Sequence, residues 1–355
     1  MKKVLSIAAR AFAHKNSGGN PVTVFFLPDS KQKPAESIRS SLARTCAWES
    51  VMVHFATDGE SIDDESDDIS SPPPRPIPTP TPSPTPTLFF YMPSGEEVSY
   101  CAHAAMGASY ALTKQPKWQK AALAAVLESE YESESDLDHV NFVTAGGVEN
   151  TALIQDTNVE IGMTNDLQEM ELRGEQRNTT IASLLNQIGL NMNDVMPEND
   201  SSRGTTLPLP FLNASVARYK TLVPIKSLGR LHMATNPREK DEFRMLCDSI
   251  GSTGLYLYKN VPSREMKMTN VYECRQFPRA SGYPEDPATG IAAAALASSL
   301  QRGGILGDNG KFVMYQGTAM GKKSSLNVRI NDDTVYCSGT VEIDNEEYIS
   351  VDDLY

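Results

Sequence analysis

The chain of 355 residues is too long for one small core and predicts two domains, or one large domain with insertions. Its formal net charge of −13 argues against nucleic acid or an anionic membrane surface as a partner. The sequence has no apolar run of about 18 residues, so no membrane span is expected. Its five cysteines are widely spaced without a C-x-x-C pair, which predicts a reducing, cytoplasmic environment with neither a disulfide framework nor a metal site.

The N-terminal segment, residues 3–12, is a short apolar run that predicts the first strand. Arg10 interrupts the run and leaves it too short for the apolar region of a secretory signal. A transit peptide is the alternative, because no acidic residue precedes Asp29. We favour the strand.

An acidic and proline-rich segment, residues 58–87, separates two apolar runs that both predict strands, VMVHFAT and TLFFYMP. Seven acids and no base lie between Asp58 and Asp68, and the stretch that follows holds nine of the 23 prolines. Such a composition cannot pack a core, so the segment is predicted to be a disordered insertion in a strand-to-strand connection. The alternative is a docking arm for an SH3- or WW-type domain or a kinase, because residues 73–76 form a minimal P-x-x-P and four Ser/Thr-Pro steps follow.

Elsewhere short strand-like runs, such as PVTVFFL and GLYLY, alternate with helical patterns such as REKDEFRMLCDSIG. This mixture predicts an α+β fold rather than the regular strand–helix alternation of a doubly wound sheet. Two distant segments share one plan, PSGEEVSYCAHAAMGASYAL and ASGYPEDPATGIAAAALASSL. Each places polar turn residues and acids before a helix of small residues that is almost free of charge.

A helix that is apolar on all its faces must be surrounded, and small side chains let strands approach it closely. The two similar segments therefore predict two pseudo-symmetric halves, each a β-sheet or barrel wrapped around a central helix. The N-terminal half is expected over residues 1–130, including the insertion, and the C-terminal half over residues 138–343. A tail, residues 344–355, is expected to return to the N-terminal half.

The starts of the two small-residue helices, CAHAA and ATGIA, are candidate anion sites. The first amides of a helix have no intrahelical partner and carry a partial positive charge. If the two halves face each other, both starts lie in one cleft suited to a small carboxylic acid. A nucleotide phosphate is disfavoured, because the chain has no Walker-type lysine and no G-x-G-x-x-G. The alternative is that the small residues merely allow close packing.

Three titratable residues are candidates for proton transfer. Glu49 stands alone before an apolar strand, where it is either a surface or capping residue or, in a closed cleft, a general base. Asp286 is fixed between Glu285 and Pro287, and a helix N-cap is its alternative role. His103 lies in the first turn of the other small-residue helix, where the helix dipole favours a neutral imidazole that can relay a proton.

Cys101 is a candidate thiol base of the kind used by cofactor-independent racemases. Such chemistry needs a second thiol on the opposite face of the substrate, and the second helix start contains no cysteine. Cys274 lies twelve residues before Asp286, on the preceding strand pattern. The two-thiol mechanism is therefore disfavoured, and Cys101 is expected to line the site.

Taken together, the motifs resemble the PhzF-like (phenazine-biosynthesis-like) isomerase family, within the diaminopimelate epimerase fold superfamily. AFAHKNSGGNPVTVFFL is similar to the family's G-N-P-V/A step, and AWES stands in the place of its S/N-x-S-E-T segment. FFYMPSGEEVSYCAHAA resembles F-T-P…E-V…C-G-H-A-T, and YPEDPATGIAAAAL resembles G-I-P-E-D-P-x-T-G-S-A. YQGTAMGKKSSLNV is similar to the Q-G…G-R-P-S-x-L stretch. The resemblance covers most of the chain except residues 58–87 and parts of 165–205.

The resemblance implies a diaminopimelate epimerase-like fold with the site in the cleft between two halves. It implies that Glu49 is the catalytic glutamate that moves a proton between carbons of the substrate, and that His103 and Asp286 hold the substrate and assist. It also implies a reaction without metal or organic cofactor, and a homodimer is expected. The substrate-binding residues that follow from the motifs are Gly19, Asn20, Cys101, Ala102, Thr289, Gly290 and Ile291.

The sequence departs from the family pattern at the candidate site. Ile291 stands where Ser commonly follows Thr-Gly, which removes a hydroxyl donor. Ala102 replaces a Gly, and Trp48 stands beside Glu49 where a small polar residue is usual. The leading hypothesis is a cofactor-independent isomerase acting on a small carboxylic acid in an interdomain cleft. The alternative is a non-catalytic metabolite-binding or interaction protein on the same fold.

Overall fold

The computed structural model describes residues 3–28, 30, 32–56, 85–116, 138–196, 211–263, 270–305 and 310–350. Most of the predicted 58–87 insertion and the last part of the predicted tail lie outside these residues. The strands are β1 (Lys3–His14), β2 (Ser17–Phe26), β3 (Ser50–His54), β4 (Thr87–Tyr91), β5 (Glu97–Val98), β6 (Asp138–Thr144), β7 (Glu149–Gln155), β8 (Asn158–Thr164), β9 (Gln168–Glu171), β10 (Leu212–Ser215), β11 (Lys220–Pro224), β12 (Gly254–Asn260), β13 (Val271–Pro278), β14 (Lys311–Gln316), β15 (Ser324–Asn331) and β16 (Thr334–Ser350). The α-helices are α1 (Glu36–Arg44), α2 (Ala102–Thr113), α3 (Glu175–Gln187), α4 (Leu228–Met233), α5 (Lys240–Ser249) and α6 (Gly290–Arg302). None of these helices has both the length and the apolar character that a membrane crossing needs.

The strands of the first half close around α2. They pair in the order β1, β2, β3, β4, β6, β7, β8 and β16, and β16 pairs back with β1. Every residue of α2 is buried, and the helix contacts most strands of this ring. Because the ring surrounds the helix, no face of α2 needs to be polar.

The strands of the second half form a sheet around α6, in the order β16, β15, β14, β13, β12, β11, β10 and β9. Residues 290–300 of α6 are buried, and the helix contacts β10, β11, β15 and β16. Strand β16 belongs to both halves. It pairs with β15 and β8 near its start and with β1 as far as the Lys3–Ser350 pair.

The second half has a further layer of helices outside its sheet. Along β12, Tyr256 belongs to the core around α6, whereas Leu255 and Leu257 belong to a separate core under the outer helices. Leu184 of α3 and Phe243 of α5 belong to the same outer core. Because successive side chains of a strand point to opposite faces, the sheet is buried on both sides here.

The predicted α+β fold, with a sheet wrapped around each small-residue helix, is confirmed. The predicted border between the halves differs from the strand pairing. Strands β6 to β8, residues 138–164, follow the border predicted at residue 130, yet they pair within the first ring through β4 and β16. Strand pairing therefore assigns residues 138–164 to the first ring. Residues 344–350 continue β16 and lie against β1.

Gly107→Ala is expected to destabilise the protein by about 1–3 kcal/mol through overpacking. A β-carbon added to Gly107 would lie 2.6 Å from Cγ1 of Val22, because β2 passes close to α2. Gly229→Ala in α4 is the matched control, since nothing lies within 4 Å of its added β-carbon. The control should be neutral or stabilising by up to about 1 kcal/mol, because alanine favours helix. Urea unfolding measures both changes, and equal stabilities of the two variants would contradict the tight enclosure of α2.

Candidate active site

The starts of α2 and α6 lie against each other. A β-carbon added to Gly290 would be 3.1 Å from the β-carbon of Ala102, so the two helix starts are in contact. The first amides of both helices, which have no intrahelical acceptor, are therefore close together between the halves. The positive ends of the α2 and α6 dipoles therefore lie next to each other.

A pocket of about 140 Å³ opens at this junction. All the predicted site residues except Gly19 and Asn20 line it, namely Glu49, Cys101, Ala102, His103, Asp286, Thr289, Gly290 and Ile291. Its other lining residues include Arg218, Lys220, Gln276 and Tyr283. Both halves contribute, because Glu49 precedes β3 in the first ring and Asp286 precedes α6 in the second.

Glu49 is a buried carboxylate with one oxygen held and one oxygen free. Its side chain lies just before β3, and the residue is only 6% exposed. Oε1 accepts a hydrogen bond of 2.5 Å from the Tyr283 hydroxyl. Among the described residues Oε2 has no hydrogen-bond partner, and it lies 3.8 Å from Nε2 of His103. The free oxygen is thus available to a ligand in the pocket.

Tyr283 connects the two halves through this hydrogen bond. Its ring packs against the indole of Trp48, with the ring centroids 5.1 Å apart. Desolvation, followed by the charges of Asp286 and Glu49, raises the pKa of Tyr283 well above its usual value, so the hydroxyl stays protonated and donates a hydrogen bond to Glu49. The large residue beside Glu49 therefore has a role: Trp48 supports the hydroxyl that orients the carboxylate.

His103 is the second residue of α2 and is buried in the pocket wall. Burial lowers the pKa of His103, the nearby Glu49 charge opposes this change, and Arg218 lowers it further. The imidazole is therefore neutral around neutral pH and can take or give a proton. Burial therefore acts in the same direction as the helix dipole that the sequence led us to expect.

Asp286 is held through both of its carboxylate oxygens. Oδ1 accepts a hydrogen bond of 2.8 Å from Nδ2 of Asn20, and Oδ2 accepts one of 2.6 Å from the Thr289 hydroxyl. Burial, followed by the Glu49 charge, raises the pKa of Asp286 to about 7, although Thr289 and Lys220 act in the opposite direction. The N-cap residue of α6 is Thr289, so Asp286 is not the N-cap.

The two adjacent acids before α6 have different surroundings. Glu285 accepts hydrogen bonds of 2.8 and 2.7 Å from the Arg275 guanidinium, and both residues are buried. Arg275 also donates to the carbonyl oxygen of Ala234 at 2.6 Å. Glu285 therefore anchors the loop to the outer helical layer, while Asp286 lines the pocket.

Gln316 fixes the backbone of the loop that carries Asp286. Its Nε2 donates to the carbonyl oxygen of Asp286 at 2.7 Å, and its Oε1 accepts from the amide of Thr289 at 3.2 Å. The next residue, Gly317, has a φ of 78°, and an added β-carbon there would clash with the carbonyl oxygen of Lys322. The Gln316–Gly317 pair of the Q-G motif therefore holds the loop that carries Asp286 in place beside the pocket.

Gly19 and Asn20 do not line the pocket, although the resemblance implies that both bind substrate. Asn20 is 0% exposed, and besides Asp286 its Nδ2 donates to the carbonyl oxygen of Ala288 at 2.6 Å. The Gly19 amide donates to Oγ of Ser324. Asn20 thus supports Asp286 from behind through its Nδ2, whereas its Oδ1 has no hydrogen-bond partner among the described residues.

The cysteines do not form a pair of thiol bases. Cys101 lines the pocket with its Sγ 3.3 Å from Nδ1 of His103, whereas Cys274 is not among the lining residues. Burial raises the pKa of both thiols, which keeps them protonated. In the part of the chain that the structure describes, no group of three or more His, Cys, Asp or Glu side chains is arranged to hold a metal ion.

The motifs did not single out Arg218, Lys220, Gln276 and Tyr283. Arg218 lies in the turn before β11, and Lys220 is the first residue of that strand. Lys220 is only 7% exposed, and its Nζ donates to the carbonyl oxygen of Thr253 at 3.2 Å. Burial, followed by the neighbouring Arg218, lowers the pKa of Lys220 to about 8. The signal that the sequence offers for this part of the pocket is the pair of cations two positions apart in ARYKTLVPI.

A family model described as phenazine biosynthesis-like protein matches residues 192–345. A comparison with curated proteins finds no match to the chain. A PhzF-family phenazine biosynthesis protein of Bacillus anthracis has a TM-score of 0.65 at 17% identity, covering 99% of this chain and 100% of that one. A predicted epimerase of Pseudomonas aeruginosa has a TM-score of 0.64 at 18% identity, covering 98% and 99%. A hydroxyproline epimerase of Agrobacterium vitis, solved with trans-4-hydroxy-L-proline, has a TM-score of 0.50 at 12% identity, covering 99% and 93%.

These structural likenesses show the fold over nearly the whole chain. The family match covers most of the C-terminal half and agrees with the resemblance drawn from the motifs.

Asp286→Asn is expected to change the pH dependence of stability. Because the native state holds the Asp286 proton more tightly than the unfolded chain does, this residue costs stability as pH rises from about 4 to about 7. The variant cannot ionise, so its Tm minus that of the wild type should rise by several degrees between about pH 4 and about pH 8. The control is Asp241→Asn, which replaces an exposed acid at the start of α5. The difference between its Tm and that of the wild type should not change with pH. A constant difference for Asp286→Asn as well would contradict the raised pKa.

Proposed function

The family match, the motifs and the fold together support assignment of the chain to the PhzF-like family, and we propose that it is an isomerase that moves a proton between carbons of a small carboxylic acid. The observation that carries this proposal is Glu49, with Oε1 held by Tyr283 and Oε2 unpartnered among the described residues. A buried carboxylate with one free oxygen in a pocket is suited to general acid–base catalysis. The epimerase names of two similar structures support the isomerase class.

The reaction consists of two proton transfers. Oε2 of Glu49 takes a proton from a carbon that is acidified by a neighbouring carbonyl or double bond, and the C–H electron pair passes into that system. Glu49 then returns the proton to another carbon of the same conjugated system, which forms the new C–H bond. No electrons leave the substrate, so the step needs no oxidant, reductant or organic cofactor.

The other pocket groups stabilise the charge that develops between the two transfers. The first amides of α2 and α6 lie together and face the negative charge of the delocalised intermediate, without any need to reorganise. Neutral His103, 3.8 Å from Glu49, is positioned to carry a proton between Glu49 and the substrate. Asp286, with a pKa of about 7, holds or releases a proton near neutral pH at the opposite wall.

Ile291 gives this pocket an apolar wall at the start of α6, since it lines the pocket and is 5% exposed. The hydroxyl donor that the family pattern commonly supplies here is absent. The proposed mechanism does not depend on it, because Glu49, His103 and the helix amides are all in place.

Glu49→Gln is expected to lower proton exchange by about 100-fold or more, because the amide cannot accept the substrate proton. The measurement is deuterium incorporation from solvent into a panel of small carboxylic acids with a carbonyl or double bond next to a C–H carbon. Glu96→Gln, an exposed residue that also lines the pocket, is the control and should keep its exchange rate. Equal exchange by wild type and Glu49→Gln would overturn the role of Glu49. Absence of exchange with every acid would favour the non-catalytic alternative.

Tyr283→Phe is expected to lower the exchange rate by about tenfold, which corresponds to the loss of one hydrogen bond to a charged group. The phenyl ring keeps the contact with Trp48, so the Tm should change little. The affinity for the acid should also change little, because Tyr283 acts on Glu49 and not on the bound carboxylate. A Tyr283→Phe protein with the exchange rate of the wild type would contradict this orienting role.

A further inference from the structure

Arg218 and Lys220 bring two positive charges into the pocket, and no acid of the described residues is in direct contact with either of them. Both residues line it, and neither forms an ion pair with a carboxylate of the described residues. Arg218 donates one long hydrogen bond of 3.4 Å to the carbonyl oxygen of Tyr100. Lys220 donates to the carbonyl oxygen of Thr253, which leaves two of its three protons for another acceptor.

Such an arrangement is costly without a ligand. Lys220 is 7% exposed, and burying a cation without a counter-charge is strongly unfavourable. Glu49 and Asp286 contribute attraction from a distance, but neither reaches Lys220 within ion-pair distance. An anion that enters the pocket supplies the missing partner.

Gln276 provides an independent observation at the same wall. Its side chain lines the pocket and is 0% exposed, yet neither Oε1 nor Nε2 has a hydrogen-bond partner among the described residues. A buried amide left without partners costs free energy that a ligand can recover. Gln276 is well fixed, because its backbone carbonyl accepts a hydrogen bond from the amide of Asp286.

The cations and the helix starts belong to different elements of the pocket. The helix starts are at Ala102 and Gly290, whereas Arg218, Lys220 and Gln276 lie on the β10–β11 turn and on strands β11 and β13. Arg218 reaches the first helix start, because its guanidinium donates to the carbonyl oxygen of Tyr100 just before α2. With one carboxylate at the helix starts, Lys220 and Gln276 still have donors without an acceptor, and a second acidic group within reach of Arg218 supplies one.

We infer that Arg218, Lys220 and Gln276 form a second acid-binding subsite, and that the substrate is a dicarboxylic acid. One carboxylate lies at the starts of α2 and α6. The other accepts hydrogen bonds from Arg218 and Lys220, with the Gln276 amide donating beside them. This inference rests on the proposed function for the identity of the site, and it adds the class of substrate.

The test is a set of binding measurements by calorimetry on the full chain with succinate, glutarate and adipate, each compared with its monomethyl ester. At least one dicarboxylate is expected to bind about tenfold or more tightly than its ester, because the ester loses a charge-assisted contact. Lys220→Met and Arg218→Gln should each remove most of this preference while changing the affinity for the ester little. Lys226→Met, an exposed lysine just after β11, is the matched control and should keep the preference.

Lys220→Arg is the control that separates loss of the charge from loss of folding. It keeps the positive charge, so it should retain part of the preference for the dicarboxylate and have a Tm near that of the wild type. Absence of a preference for every dicarboxylate in the wild type would overturn the inference. Equal losses for dicarboxylate and ester in Lys220→Met would also overturn it, since the cations would then hold the only carboxylate. These outcomes are separable from failure of the proposed function, which is measured by proton exchange in Glu49→Gln and not by affinity.

Discussion

Complete burial of two helices is the constraint on which the rest of the structure depends. A helix without a polar face is stable only when other elements cover it on every side. Alanine and glycine along α2 and α6 let the strands approach closely enough to do so. The same packing brings Ala102 and Gly290 into contact, and with them the unpaired amides of both helix starts. The pocket is therefore a consequence of how the cores are packed.

Burial also determines the electrostatics of the pocket. Desolvation moves the pKa of Asp286 up to about 7 and that of Lys220 down to about 8, so an acid and a base that differ widely in water titrate close together here. Neither charge is paired directly with the other. The charge of a bound ligand therefore decides which protonation states are populated: an anion next to Lys220 favours the ammonium form and couples binding to proton uptake.

The sequence predicted the features that depend on local pattern. The apolar periodicity and small-residue runs located both central helices, and the motifs around Glu49, His103 and Asp286 identified side chains that lie together in the pocket. Contacts between distant segments were not predictable in the same way. The Tyr283 hydroxyl reaches Glu49 only because the two halves pack against each other. The pattern of apolar residues along the chain carries no information about such a contact.

Asn20 shows what a motif alone leaves open. Its position in the G-N-P step suggested contact with substrate, but a motif does not distinguish a side chain that touches a ligand from one that holds the residue in front of it. In the folded chain Asn20 donates to Asp286 and to the Ala288 carbonyl oxygen. Similarly, the border predicted at residue 130 differs from the strand pairing, because pairing joins strands that are distant in the sequence, such as β4 and β6.

Ile291 and the pair Arg218 and Lys220 present two different kinds of surface to a ligand in the pocket. Ile291 removes a hydroxyl donor at the start of α6, which weakens recognition by neutral hydrogen bonds on that side. Arg218 and Lys220 place charged donors in the β10–β11 turn and at the start of β11, and the burial of Lys220 strengthens its attraction for an anion. Because charged donors form stronger hydrogen bonds than a hydroxyl does, we propose that ligand selectivity rests on charge at the β11 side and on shape at Ile291.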